Sequence, residues 1–401
     1  MKILYISSVC SAKVLDYIFT TSDTKPGQAV QKFHRLLVEG FSVHNNLCEI
    51  EVLSSLPVSP GGHTRKFWNL SDDYWKGIHF KYIPFLNFRI VKHLVVFFIA
   101  FFKVSFWLFS SPKKEKMIIC DVLNVSIVWA TFLACKLRRQ SIAVIVTDLP
   151  IFLVSGTGKL SFFKGSYLKL ATFVMHRFDY YIGLTKQMNE IVNPFGKPFL
   201  VMEGLVDGEI SNEKSSMIQK EAERILLYAG GIYEKYGVKN LIEAFITLRN
   251  ENVALHIYGS GDLELQMVQY CKMDKRISYF GVVSNAVVVE QLGKAAILIN
   301  PRPTTEEFTK FSFPSKNMEY MASGIPLLTT KLPGMPSEYN DYVYFFEDES
   351  VEGMRNTLNT LLSKPKEELK GMGDKGKNFV LNHKSNAIQA KKILDFLKVN
   401  E

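Results

Sequence analysis

The sequence predicts an α/β chain with two parallel sheets, each covered by helices on both faces. Two observations carry this reading. Apolar runs of four or five residues alternate with amphipathic stretches along the whole chain. Runs that are apolar throughout suit strands buried on both faces, and the amphipathic stretches between them suit the crossover helices that parallel pairing requires. The runs also fall into two groups of similar length, parted by the turn-rich Asn193-Pro194-Phe195-Gly196-Lys197-Pro198, which reads as a boundary.

In order, the first group is Ile3–Ile6, Ile50–Leu53, His79–Ile83, Met117–Cys120, Ala143–Thr147 and Tyr180–Leu184. The second is Ile225–Ala229, Ala254–Tyr258, Ile277–Phe280, Ile297–Asn300 and Pro326–Thr329. The opening Met-Lys-Ile-Leu-Tyr-Ile run is too short for a signal-peptide core and reads as the first buried strand, so no export is expected. The tail from about Lys366 to Glu401 reads as two helices, with Ala387, Ala390, Leu394 and Leu397 in one apolar stripe. It suits the closing of either domain. At about 100–200 residues per domain, the chain divides into residues 1–200 and 201–383, with a terminal helix of about 384–401 assigned back to the first.

Composition narrows the class. With 47% apolar and 22% charged residues, a disordered, collagenous, coiled-coil or disulfide-stapled chain is excluded. Cys10, Cys48, Cys120, Cys135 and Cys271 are odd in number and form no CxxC, so neither a disulfide framework nor a zinc site is expected, and a reducing cytoplasm fits. The net charge is +9 and uneven: residues 1–200 hold 24 Lys/Arg and 12 Asp/Glu, whereas 201–401 hold 24 and 27. The basic half calls for an anionic partner.

Two segments say which. Leu94–Phe109 reads LVVFFIAFFKVSFWLF, 16 residues with one lysine, short of the roughly 20 that span a bilayer. A transmembrane helix, a buried helix and a helix lying on a membrane are the three readings. The flanking Arg89, Lys92, Lys113, Lys114 and Lys116 favour the membrane surface, because basic residues beside exposed aromatics attach to anionic lipid. Leu160–Phe178 has the same character: Phe162, Phe163, Tyr167, Leu170, Phe173 and Val174 alternate with Lys159, Lys164, Lys169 and Arg177. It equally suits a core-facing helix with a solvated basic side. These runs are not the stacking platforms and basic grooves of single-strand binders, so nucleic acid is not expected.

The richest stretch is Asn300–Thr330, NPRPTTEEFTKFSFPSKNMEYMASGIPLLTT. A strand ends in a loop, a helix starts near Pro314-Ser315, and Gly324 with Pro326 stops it. Ser315 is placed to accept orphan amide hydrogens. The helix N-terminus thus lies at the C-terminal end of a parallel strand, where open α/β sheets bind ligands, and free N–H groups there suit phosphate. Lys316 adds a cation in the first turn. Glu319, three residues on, shares its face and could take both hydroxyls of a ribose-like diol. A plain surface Lys316–Glu319 pair is the competing reading.

Glu319-Tyr320-Met321-Ala322-Ser323-Gly324-Ile325-Pro326 resembles the E-[AY]-M-A-S-G-x-P signature of family-4 glycosyltransferases, which have the GT-B fold. Other pieces follow in that family's order. Ile225–Gly231 is similar to its first C-domain strand and glycine turn. Gly237–Phe245 resembles the next helix. His256-Ile257-Tyr258-Gly259-Ser260-Gly261-Asp262 resembles its G-x-G-[DE] loop, and Phe280-Gly281 its later strand end. The resemblance implies two Rossmann-like domains with a nucleotide-sugar donor on the C-terminal one, an acceptor on the N-terminal one, and transfer with retention and no metal or cofactor. It implies that Glu319 holds the ribose hydroxyls and that Gly230, Gly231, Lys235, Gly259, Ser260, Gly261, Asp262, Arg302, Lys310, Ser315 and Lys316 line the donor site.

The sequence departs from the pattern at three charged positions. Phe311 stands for the first Glu of E-x7-E, Gly231 for an Arg, and Tyr236 for a Lys. Lys235 is one residue off, and diphosphate neutralisation shifts to Lys310 or Lys316 with Arg302. In the N-terminal half, Ser7, Ser8 and Val9 end the first strand near the expected acceptor. Thr147-Asp148 falls where relatives have His-Asp, which gives Asp148 an acceptor-side role or that of a helix cap. His34, His176 and His256 show no partner pattern. The expected activity is transfer of a sugar to a lipid-linked saccharide in surface polysaccharide assembly, by a cytoplasmic protein peripheral on the inner face of the cell membrane. The alternatives are a non-catalytic GT-B partner and a nucleotide-sugar epimerase.

Overall fold

The computed structural model describes residues 1–24, 26–110, 112, 115–149, 161–209 and 224–400, with the backbone alone for 161–167 and 285. Two compact units result. One comprises Met1–Leu205 and Ser385–Glu401, the other Val206–Lys384.

The first unit contains β1 (Lys2–Ser7), α1 (Ala12–Thr21), α2 (Gln28–Val43), β2 (Glu49–Ser54), β3 (Phe67–Trp68), β4 (Asp73–Trp75), β5 (Ile78–Tyr82), β6 (Phe85–Leu86), α3 (Arg89–Phe109), β7 (Lys116–Asp121), α4 (Val125–Arg138), β8 (Ile142–Val146), α5 (Ser161–Met175), β9 (Tyr180–Gly183), α6 (Met188–Val192) and β10 (Phe199–Val201). Its sheet runs β10-β9-β8-β7-β1-β2-β5-β4. Every pairing is parallel except β4 on β5. The central β7 and β8 are buried at every residue, which is why Met117–Cys120 and Ile142–Val146 read as unbroken apolar runs. The chain turns from one side of the sheet to the other between β1 and β7.

The second unit contains β11 (Arg224–Ala229), α7 (Val238–Ile246), β12 (Val253–Tyr258), α8 (Glu264–Met273), β13 (Ile277–Tyr279), α9 (Asn285–Leu292), β14 (Ile297–Asn300), α10 (Ser315–Ser323), β15 (Leu327–Thr330), β16 (Tyr344–Phe346), α11 (Val351–Ser363) and α12 (Lys366–His383). Its sheet, β13-β12-β11-β14-β15-β16, is parallel throughout. Here the direction reverses between β11 and β14. The edge strands β4, β10 and β16, each three residues, are too short for a periodic signal and were not foreseen. The turn at Asn193–Pro198 precedes β10 and so lies inside the first unit.

The last helix, α13 (Asn386–Asn400), packs on α2. Its apolar stripe is buried at Ala390, Leu394 and Leu397. Asn386 Nδ2 donates to the Leu36 carbonyl at 3.2 Å, and Gln389 Nε2 to that of Gly204 at 2.6 Å.

α3 differs from its sequence reading in length and in facing. It starts at Arg89 and has 21 residues, long and apolar enough by length and composition to cross a membrane. Val96, Ala100, Val104 and Leu108 bury one stripe, with α4 as its main neighbour, while Ile90, Leu94, Phe98, Phe102 and Phe106 form a second, exposed stripe. Two flanking lysines turn inward. Lys92 donates to the Val58 carbonyl and lies 4.4 Å from the Phe85 ring centre; Lys116 donates to the Trp107 carbonyl at 2.5 Å. Arg89 and Lys103 stay exposed. Lys113, Lys114, Lys159, Leu160 and the side chains of Phe162, Phe163, Lys164 and Tyr167 lie outside the described residues. Of the rest of that segment, Leu170 and Phe173 are exposed and Val174 and Phe178 buried.

Gly40 is where α2 meets α13, since a Cβ there would lie 2.2 Å from the Asn386 carbonyl oxygen. Gly40→Ala is therefore expected to lower stability by about 1–3 kcal/mol in a urea melt. Gly371→Ala, in open space on α12, serves as the control and should raise it by roughly 0.5–1 kcal/mol.

Candidate functional site

The second unit gathers its chemistry where its sheet reverses, at the C-terminal ends of β11 and β14. The base is a close backbone contact. Gly259 has φ +126°, and a Cβ on it would lie 1.7 Å from the Gly230 oxygen. Only glycine permits this approach. The Gly230 N–H donates to the Tyr258 carbonyl at 2.8 Å, the Ile232 N–H to that of Ser260 at 2.9 Å, and the Gly259 N–H to that of Gly281 at 2.7 Å. Asp262 accepts the Glu234 N–H at 3.1 Å. Gly259, Ser260, Gly261 and Asp262 thus hold the Gly230-Gly231 turn from behind.

α10 enters this turn from the other side. The Tyr320 hydroxyl donates to the Ala229 carbonyl at 3.1 Å and accepts the Ala229 N–H at 2.8 Å, pinning the end of β11. Lys316 reaches over the turn: a Cβ on Gly230 would lie 1.8 Å from its Nζ, which sits 5.4 Å from the Tyr228 ring centre. Arg302, two residues past β14, lies 4.6 Å from the Tyr236 ring centre and 5.4 Å from that of Phe308. Neither cation has an ion-pair partner among the described residues. Burial pushes the Lys316 ammonium down to about 8, and the charge of Arg302 pushes the same way against a smaller opposing effect of Glu319. Burial also lowers Arg302.

Several sequence expectations take a definite place. Lys316 and Arg302 come together, with Glu319 half-buried one turn along α10. Lys235 is exposed, 5.6 Å from the Tyr236 ring centre and 6.0 Å from that of Phe308. Lys310 is exposed at the end of the turn Glu307–Lys310. Ser315 corrects its reading: Pro314 holds the cap position, no side chain caps the helix, and Ser315 is exposed as the first helical residue. The first amides of α10 therefore keep no side-chain cap of their own. Among the described residues no group of three or more His, Cys, Asp or Glu stands together as metal ligands.

The first unit holds a second cluster that sequence reading missed. Tyr5, Ser7, His34 and Asp121 meet at the ends of β1 and β7, all at most 1% exposed. The Tyr5 hydroxyl is 2.6 Å from His34 Nδ1, and His34 Nε2 is 3.5 Å from Asp121 Oδ2. Half-buried Asp148, just past β8, feels Asp121 and His34. His34 lies on α2, far from these strands in sequence, and nothing in its neighbours signals the contact.

Residues 210–379 match the family of group 1 glycosyl transferases. No curated protein matches the chain in sequence. Three solved structures share its fold, each match covering 100% of both chains. They are sucrose-phosphate synthase from Thermosynechococcus elongatus (12% identity, TM-score 0.66), Anabaena HepE in complex with UDP (13%, 0.63) and the lipopolysaccharide outer core galactosyltransferase WaaB (16%, 0.61). At these identities the likeness shows the fold, a GT-B fold of two α/β units with parallel sheets.

The low Lys316 value has a stability signature. Below pH 8 both states carry the proton and the burial cost is full; between about 8 and the ordinary 10.5 only the unfolded chain binds it, so stability rises with pH. The stability difference between Lys316→Met and wild type, from urea melts, should shrink across that window; a constant difference would refute the desolvated ammonium.

Proposed function

We propose that the protein is a retaining glycosyltransferase that takes its sugar from a nucleotide-diphosphate donor held by the second unit. The carrying observation is the pair Lys316 and Arg302. Two half-buried cations rest on aromatic rings beside a glycine turn and an uncapped helix start. Such a site is costly when empty and suits an anion with several oxygens. The group 1 match covers this unit, and HepE, of the same fold, binds UDP.

The chemistry follows from the charges. When the bond between the sugar's anomeric carbon and the phosphate oxygen breaks, the electron pair stays on the diphosphate. Lys316, Arg302 and the first amides of α10 stabilise that developing charge, usually the largest catalytic effect. The acceptor hydroxyl forms the new bond from the same face, and its proton passes to the leaving phosphate. Glu319 holds the ribose diol. No metal or other cofactor is invoked. Phe311, Gly231 and Tyr236 stand where the family pattern is charged, which keeps a non-catalytic partner protein as the second reading.

A thermal-shift panel of nucleotide sugars with UDP decides. Donor at a hundredfold excess over Kd should stabilise by about 2.7 kcal/mol, and binding should weaken above pH 8 as Lys316 loses its proton. Lys316→Ala and Glu319→Ala should each cut transfer by at least a hundredfold while the chain still unfolds in a cooperative melt. Wild-type transfer by both variants would end the assignment, and donor binding without hydrolysis or transfer would favour the non-catalytic reading.

The acceptor we propose is a lipid-linked saccharide of surface polysaccharide assembly, met on the inner face of the cell membrane. The exposed stripe of α3, with Leu133 and Leu137 exposed on α4, supplies apolar anchors. Exposed Arg89 and Lys103 border the stripe. Vesicles with anionic lipid should co-sediment the protein, and high salt should weaken this. Phe102→Asp with Phe106→Asp should reduce binding at least tenfold; unchanged binding would remove the membrane face.

A further inference from the structure

The exposed stripe of α3 does not end with the helix. β3 and β6 form a two-stranded antiparallel ribbon, with Phe67 opposite Leu86 and Trp68 opposite Phe85. Side chains alternate between the two faces of a strand. Trp68 and Phe85 are buried, and their rings stack with centres 6.2 Å apart. Phe67 and Leu86 point the other way, 55% and 39% exposed. Exposed Phe88 and Ile90 carry this set on to α3, against which β6 packs. Lys66 comes from the neighbouring strand to within 6.0 Å of the Phe88 ring centre.

The ribbon is fixed from its inner side. Trp68 Nε1 donates to the Arg65 carbonyl at 3.2 Å, and His63 stands edge to face with Trp68, ring centres 4.7 Å apart. The Asn87 N–H donates to the Lys66 carbonyl at 2.6 Å, and Arg65 Nε to that of Phe67 at 2.8 Å. None of these contacts uses the Phe67, Leu86 or Phe88 side chain. Three large apolar groups thus stand on a preorganised outer face, where a partner gains their area at little ordering cost. α3 itself is tied to the unit at both ends. Lys92, in its first turn, donates to the Val58 carbonyl, and Lys116, beyond its end, to that of Trp107 at 2.5 Å. Between them Val96, Ala100, Val104 and Leu108 are buried, with α4 as the main neighbour. Crossing a bilayer would strip α3 of these contacts; lying flat keeps them.

The charge fits an anionic surface. Residues 52–71 and 74–114 contain no Asp or Glu. Of the cations among them, Lys76 and Lys81 pair with Glu39 and Glu51, and Lys92 turns inward. Lys66, Arg89 and Lys103 are exposed beside the apolar set, as in contacts with anionic lipid.

We propose that the β3–β6 ribbon and α3 make one in-plane contact with an anionic bilayer. α3 lies flat on its exposed stripe, the ribbon inserts Phe67, Leu86 and Phe88 beside the helix start, and Lys66 and Arg89 meet lipid phosphates. The bilayer as partner rests on the membrane reading above; the second inserting element and the flat helix are additional to it. Two elements at one level stop α3 from rolling about its axis and so fix which side of the first unit faces the lipid.

Spin labels test the geometry. Cys10, Cys48, Cys120 and Cys135 are buried, so Cys271→Ser gives a background for single labels at Phe67→Cys, Leu94→Cys and Phe106→Cys. On vesicles of equal parts phosphatidylcholine and phosphatidylglycerol, power-saturation EPR should place all three at one depth, about 5–10 Å into the boundary between headgroups and acyl chains. A spanning helix would separate the Leu94→Cys and Phe106→Cys labels by roughly 18 Å along the membrane normal and would overturn the flat placement. A ribbon label in water with both helix labels in lipid would overturn the ribbon alone; all three in water would end the membrane reading as well. In co-sedimentation, Phe67→Asp with Leu86→Asp should weaken binding to the same vesicles by roughly tenfold or more. Leu265→Asp, at an 88% exposed position on α8, should not. Equal loss in both, or none in the ribbon variant, would also overturn the ribbon. Lys66→Glu with Arg89→Glu should abolish the preference for these vesicles over pure phosphatidylcholine, and a preference kept intact would overturn the phosphate contacts.

Discussion

The second unit depends on one close approach, the backbone of Gly259 against the carbonyl of Gly230. It lets the ends of β11 and β12 meet without a side chain between them. The space above Gly230 then remains for the Lys316 ammonium, which a side chain at 230 would push from its seat. From this the electrostatics follow. A cation seated on a tyrosine ring and a glycine turn has little water, so its proton is held weakly and its charge is open to an anion. The same constraint that shapes the turn thus produces the low Lys316 value.

The family pattern places its cations at positions filled here by Gly231 and Tyr236. Tyr236 pairs with Phe308, their ring centres 6.0 Å apart, and this pair is the surface on which Arg302 lies. An Arg presented from the end of β14 supplies planar charge that an aromatic floor can hold.

Legibility in the sequence followed the range of the interaction. The strand–loop–helix–strand unit from Asn300 to Thr330 was readable because each signal is local: Pro314 before the helix, Gly324 after it, and a short strand with an apolar start at either side. Strand centres were readable for the same reason. The partners of His34 were not, because Tyr5 and Asp121 lie 29 and 87 positions away and only the sheet order joins them. Charge counting misled in one respect. Lys92 and Lys116 flank the apolar helix in sequence, yet both turn their ammonium groups onto backbone carbonyls and aromatic rings. A long aliphatic stem lets a lysine leave the surface, and no count of residues records that.

The two units use the same topological position for opposite electrostatics. Each gathers side chains where its own parallel sheet reverses direction. In the second unit those side chains are the cations Lys316 and Arg302; in the first they are carboxylates, an imidazole and hydroxyls. On the proposed reading, the division matches what the two substrates of a sugar transfer present. A nucleotide diphosphate is anionic before the reaction and more so after it, so fixed positive charge serves it throughout. A switch point in each parallel sheet supplies the place, and the residues that line it decide the chemistry.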